Sequence, residues 1–342
     1  MSNMEYLREL FHEWLNSEGI VDIAGYYFDR DNILQTLDEE GYKEAFVQWL
    51  EDRQDAMLNK ANEILEQSGQ IDRFRLLQET YRRGAVIPFV GAGLSISSGY
   101  PGWTNFLYKL LQETRLEKKE LDILISSGQY EEAAQRIHDN MPNGAFLEAL
   151  ENNFGCNHKL VGPVQRLPFL FSQSVITTNF DNVLYRCYEN AEKPFSEGLL
   201  GAQALDLPRK LGEGKHVLIK LHGKSDSNRD RVLTKQEYDR HYKDENTLEQ
   251  VIEACCNKTL LFLGCSLKVD RTLKAMASIM QRKGIDNVPR HYAFISIKDT
   301  DDKLTRRDQL SESNIFPIWY SDDEDHDECI EALLTKLAEG AE

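Results

Sequence analysis

The chain has no CxxC pair: its six cysteines (Cys156, Cys187, Cys255, Cys256, Cys265 and Cys329) are scattered through 342 residues. That excludes a four-cysteine zinc ribbon and fits reduced, mostly buried thiols in a cytoplasmic protein. No apolar run is long enough to span a bilayer, so no membrane partner is expected. The opening MSNMEYLREL lacks the basic start and apolar core of a signal peptide. Basic residues are in short supply: 40 Lys and Arg stand against 57 Asp and Glu, a formal charge of −17. A polyanion approaching such a surface is repelled, so direct nucleic-acid binding is not expected. Cys156-Asn157-His158 offers only two metal ligands, too few for zinc, and no metal is expected.

Residues 1–84 read as an acidic helical segment. Leu7, Leu10, Phe11, Trp14 and Leu15 recur at helical spacing, and Asn16-Ser17-Glu18-Gly19 ends that helix. A second helix is expected near Asp31, a long one after Gly41, and another from Ile71 to Arg83. Nothing in the segment carries chemistry, and it reads as a cap or as an assembly or partner-binding module.

From Ala85 the pattern changes to alternating strands and helices, which predicts an α/β fold with a doubly wound parallel sheet. Six strands are expected: Val86–Val90, Ser174–Thr178, His216–Leu221, Thr259–Leu263, His291–Ile297 and Ile315–Tyr320. A helical insertion is expected over about 103–155, with breaks near Ser126-Ser127-Gly128 and Met141-Pro142-Asn143-Gly144. The stretch from Lys193 to Gly214 reads as a loop, and Thr234 as an N-cap paired with Glu237.

Chemistry gathers where strands end. Gly91-Ala92-Gly93 closes the first strand, the place where glycines let a backbone approach a phosphate and helix-start N–H groups face it. The dinucleotide fingerprint would require a third glycine where Ile96 stands. Asn179 offers a donor and an acceptor to a ribose hydroxyl or water, while Asp181 accepts only, as an amide-bearing ring requires. An Asx-type cap on the following helix is the other use of that pair. His222, before Gly223, is a candidate proton acceptor at neutral pH. Ser95 and Ser266 are candidate donors to a phosphate or ribose. Asp270 is a candidate ligand contact or a helix cap.

GAGLSISSGYP, TTNFD (Thr177–Asp181), KLHG (Lys220–Gly223) and LGCS (Leu263–Ser266) stand in the order of the sirtuin motifs. From Ala85 onward the chain resembles a sirtuin-like domain, which implies a Rossmann-like sheet. The resemblance implies NAD+ as substrate and scission of the nicotinamide–ribose bond, with Asn179, Asp181 and His222 as catalytic residues. It places Gly91, Ala92, Gly93, Ser95, Pro101, Trp103, Thr178, Gly264, Ser266 and Asp270 on the dinucleotide. Two departures stand out. The deacetylases' zinc-binding cysteines are missing, and Gly102-Trp103-Thr104 replaces their aspartate-phenylalanine-arginine. Both departures resemble the sirtuin-like NAD+ hydrolases of bacterial anti-phage defence. That likeness implies an oligomer and a defence partner such as a HerA-like ATPase or a short Argonaute. A protein deacylase and a catalytically silent sensor of NAD+ or ADP-ribose remain as alternatives.

Overall fold

A computed structural model of the chain describes residues 2–227, 230–242, 245–267 and 271–340. A small antiparallel hairpin, β1 (Val21–Ile23) and β2 (Tyr26–Phe28), lies between two N-terminal helices, Arg8–Ser17 and Arg30–Leu37. Then come a 29-residue helix, Glu39–Gln67, and a shorter one, Ile71–Arg82.

The main sheet is wholly parallel and seven-stranded: β3 (Val86–Val90), β4 (Ser174–Thr177), β5 (Glu197–Leu200), β6 (Val217–Lys220), β7 (Thr259–Leu263), β8 (His291–Ile297) and β9 (Ile315–Ser321). Their spatial order is β5-β6-β4-β3-β7-β8-β9, so the order reverses at the β3–β7 pair. This is the expected α/β, Rossmann-like architecture with one strand added. The addition, β5, pairs only with β6 at the sheet edge, and its four residues include Gly198.

Helices cover both faces, which is why the central strands are buried along their whole length and mostly apolar. In β3, Val86 and Val90 enter one core while Ile87 and Phe89 enter the other. The four helices between Trp103 and Phe154 pack into the first core. Ile64, Leu65, Phe74 and Leu77 join it from the N-terminal segment. Phe74 stacks on Phe294, Gln70 accepts the Trp319 N–H at 2.8 Å, and Arg73 donates to the Pro317 carbonyl at the sheet edge. A separate cluster, Leu7, Phe11, Tyr42, Phe46 and Trp49, holds the first helix against the start of the long one. The division between the two clusters therefore falls inside the long helix.

The cap expected at Thr234 forms. Thr234 Oγ1 accepts from Glu237 N at 3.3 Å while Glu237 Oε2 accepts from Thr234 N at 3.0 Å, a reciprocal box opening the helix Lys235–Tyr242.

Candidate active site

In an open parallel sheet, ligands sit beyond the carboxyl ends of strands at the point where their order reverses. Here that point is built from glycine against glycine. Gly91 N–H donates to Leu263 O at 2.8 Å and Gly93 N–H to Gly264 O at 2.9 Å. A Cβ on Gly91 would lie 2.5 Å from Gly264 O, and one on Gly93 would lie 2.7 Å from the same atom. Gly264 itself has φ +64°, and a Cβ there would stand 2.6 Å from Leu94 N. The glycines thus bring two loops together, with two of the loop's N–H groups spent on that contact. A four-residue helix, Gly93–Ile96, follows at once, ahead of the amphipathic helix Trp103–Leu111.

Behind this loop lies a buried polar cluster. Thr177 Oγ1 donates to Val90 O at 2.7 Å and accepts from Asn179 N at 3.0 Å. Asn179 Nδ2 donates to Gly91 O at 3.1 Å and to Ser95 Oγ at 3.3 Å. Its Oδ1 is buried without a partner among the described residues. Asp181 Oδ1 accepts from Val183 N at 3.0 Å, so the capping use of that carboxylate is realised. Lys220, buried below, donates through Nζ to the carbonyls of Phe180 (3.0 Å) and Asp181 (2.8 Å). Burial raises the Asp181 carboxyl above its ordinary range, with the Lys220 charge opposing. Burial also brings the Lys220 ammonium down to about 8, with Asp181 opposing.

His222 arrives from β6. Gly223 after it has φ +72°, and a Cβ there would collide with the Asp230 carbonyl, so the turn admits only glycine. The imidazole meets the Tyr238 hydroxyl through Nε2 at 2.7 Å, while Nδ1 is shut off from solvent without a partner among the described residues. Burial pushes the ring down to about 4, which keeps it neutral at physiological pH.

His222 and the Gly91–Gly93 loop line one cavity of about 360 Å³, together with Trp103, Thr178, Gly264 and Ser266. Glu131 and Arg271, paired at 2.7 Å, stand in its wall. A second cavity of about 630 Å³ opens over the ends of β8 and β9, and Gly264, Cys265 and Ser266 wall both. Ser95, Asn179 and Asp181 lie in the buried cluster, where Asn179 is bonded to the back of the loop, and Pro101 lies outside the cavity lining. Asp270 lies outside the described residues. Tyr238, Arg271 and Glu131 went unnoticed in the sequence. The capping box placed Tyr238 on a helix, but nothing in the pattern aimed that residue at His222.

A family model described as a SIR2-like domain matches residues 173–318, the stretch that holds Asn179, Asp181, His222 and Gly264. Over that stretch the chain is similar to SIR2-like domains. It is similar to a protein named NAD(+) hydrolase ThsA from Enterococcus faecium, 25% identical over 75% of this chain and 55% of that one. A protein of the same name from Acinetobacter baumannii is 28% identical over 76% of this chain and 48% of its own. Defense-associated sirtuin 2 of Bacillus subtilis is 26% identical over 58% of this chain and 19% of its own. The chain spans about half the length of the ThsA proteins that it matches.

Proposed function

We propose that the chain is an NAD+ hydrolase that breaks the bond between nicotinamide and ribose, releasing nicotinamide and ADP-ribose. The observation that carries this reading is the shared wall: Gly264, Cys265 and Ser266 line both the cavity that holds His222 and the one over the ends of β8 and β9. A dinucleotide laid across that wall has its nicotinamide end beside His222 and its adenosine end over β8 and β9. The similarity to NAD(+) hydrolases supports the choice of ligand.

Scission of a nicotinamide–ribose bond leaves positive charge on the sugar, so the site stabilises that charge and excludes stray water. His222 accepts the proton of the attacking water. Asn179 presents its unpartnered Oδ1 to a ribose hydroxyl or water, and Asp181 receives the nicotinamide amide hydrogens once the loop has admitted the ligand. Gly91, Ala92, Gly93, Ser95 and Ser266 serve the phosphates and the adenosine side. Depletion of NAD+ in the cytoplasm fits an effector of anti-phage defence. In that setting, residues 1–84 serve as the assembly or partner-binding module, with the catalytic domain over 85–342. An oligomer or a defence partner such as a HerA-like ATPase restrains the activity until it is needed.

The test is product analysis on the full chain with NAD+, with and without an acetyl-lysine peptide. Nicotinamide and ADP-ribose are expected without peptide, and Asn179→Ala or His222→Ala should each lower the rate on the order of 10²–10⁴-fold. Products that appear only with peptide, as O-acetyl-ADP-ribose, would establish a deacylase instead. Tight binding without turnover would establish a sensor.

A further inference from the structure

His222 is part-buried in the wall of its cavity, so what occupies its two ring nitrogens decides what it can accept. Of its two nitrogens, Nδ1 is enclosed and Nε2 is met by the Tyr238 hydroxyl at 2.7 Å. The two rings sit edge to face, with centroids 5.7 Å apart at 77°. Both residues line the cavity, and the phenol oxygen is the group bonded to the imidazole's Nε2.

Tyr238 is itself held from three sides. Its helix is opened by the Thr234–Glu237 box, and Tyr242, one turn on, donates to Leu221 O at 3.0 Å, next to His222 in the chain. The Arg271 guanidinium lies 4.9 Å above the Tyr238 ring. Arg271 is fixed in turn by Glu131, whose Oε1 accepts from its Nε at 2.7 Å. Four elements far apart in sequence thus converge on one phenol–imidazole contact. Such constraint is characteristic of groups that must keep a productive geometry.

We propose that Tyr238 is a further catalytic residue of this site, carrying the proton of the attacking water to His222. This rests on the hydrolase reading above. The water O–H bond breaks and its proton passes to Tyr238 Oη, while the phenol's own proton passes to His222 Nε2. The water oxygen's electron pair forms the new bond to the ribose anomeric carbon. The pair of the old C–N bond leaves with nicotinamide, which becomes neutral. The proton held as imidazolium returns to solvent when ADP-ribose departs, so the cycle needs no further reactant.

The experiment compares the full-length wild type with Tyr238→Phe and His222→Ala, following nicotinamide release from NAD+ and the solvent isotope dependence of kcat/KM. Phenylalanine keeps the ring under Arg271 and removes only the hydroxyl. The expected result is a fall in kcat of about 10²-fold with KM within about twofold, the scale of one lost proton-transfer group. The proton inventory of the wild type should be curved, from two protons in flight. Unimpaired turnover by Tyr238→Phe overturns the relay while leaving the hydrolase reading intact. A rise in kcat also overturns it, because it would make the hydroxyl a plug over His222. If the variant folds poorly, the wild-type inventory decides alone, and a straight line overturns the proposal. A wild type that binds NAD+ without releasing nicotinamide sinks both readings.

Discussion

The carboxyl edge of the sheet and the N-terminal cluster around Phe11 hold themselves together in opposite ways. At the sheet edge, backbone packs on backbone: the loops after β3 and β7 touch through Gly91, Gly93 and Gly264, and Asn179 fastens the first of them from behind. In the N-terminal cluster, ring packs on ring. Phe11 lies 5.1–5.9 Å from Trp14, Tyr42, Phe46 and Trp49, measured between centroids. Around it, Trp14, Tyr26, Tyr27 and Leu37 remain exposed, and residues 1–56 carry fourteen acidic side chains against four basic ones. A contact between backbones cannot yield to an added atom. A contact between side chains can partly close over a lost one. The two regions should therefore respond to different perturbations, and by different amounts.

The largest effect is expected from Gly264→Ala. Left-handed backbone costs a non-glycine residue about 1–2 kcal/mol, and overpacking typically costs about 1–3 kcal/mol more. Here the added carbon has nowhere to go, with Leu94 N at 2.6 Å and Gly93 Cα at 3.1 Å. Together these terms approach the lower bound of a domain's whole stability, ~5 kcal/mol. Nicotinamide release should vanish, and the urea midpoint of the sheet should drop sharply. A variant of wild-type stability and activity would mean that the two loops are slack, and would remove the basis of the comparison.

How much of this could be read beforehand follows the same division. The strands are legible because burial on two faces favours runs of apolar residues, as in Val86–Val90 and Leu260–Leu263. β5 was hidden in a Gly- and Pro-containing stretch, since an edge strand of four residues has one partner and little apolar content. The hairpin was hidden because Ala24-Gly25 makes its turn, with φ of 55° and 84°, where asparagine or aspartate ahead of glycine would have signalled it. At the site, motif positions were legible and contacts were not. The glycines of the Gly91 loop read as letting the backbone approach a phosphate, and what the pattern does not show is that Gly264, more than 170 residues away, presses against them. The sequence offers Ser95 as a ligand donor but does not show that its Oγ also accepts from Asn179 Nδ2. His222 could be picked from its strand end, but Tyr238 could not. A side chain's aim depends on how its helix docks, and that is fixed by distant packing.

Phe11→Ala tests the other side of the comparison. Removing a buried phenylalanine usually costs about 3–5 kcal/mol. The low end is expected here, because the cluster lies beside exposed residues and can settle into part of the space. The loss should fall on the N-terminal helices, seen as faster amide exchange over Arg8–Ser17 and the start of the long helix, while nicotinamide release from NAD+ persists. If Phe11→Ala abolishes nicotinamide release as thoroughly as a glycine-loop change, the two regions form one cooperative unit and the contrast drawn above fails.

Acid should separate the regions by a smaller margin. The sheet buries His291 at the start of β8, where Nδ1 accepts from Leu260 N at 3.0 Å, and burial pushes the ring down to about 3. That bond needs a neutral ring, whereas the unfolded chain takes up its proton near the ordinary histidine value, about 6.5. Below that pH the unfolded state binds more protons than the folded one. The stabilisation is complete above about 6.5 and is lost as pH falls towards 3, at about 1.4 kcal/mol per unit. Between pH 6.5 and 5 the sheet should therefore lose about 2 kcal/mol through this residue, with His222 adding a loss of the same sign. The N-terminal cluster buries no histidine among its described residues, so its amide exchange should change less over the same interval. His291→Asn offers an oxygen to the Leu260 N–H in place of Nδ1 and cannot titrate. Denaturant melts of that variant should run flatter from pH 6.5 to 5 than those of the wild type. Parallel curves would show that the acid sensitivity of the sheet arises elsewhere.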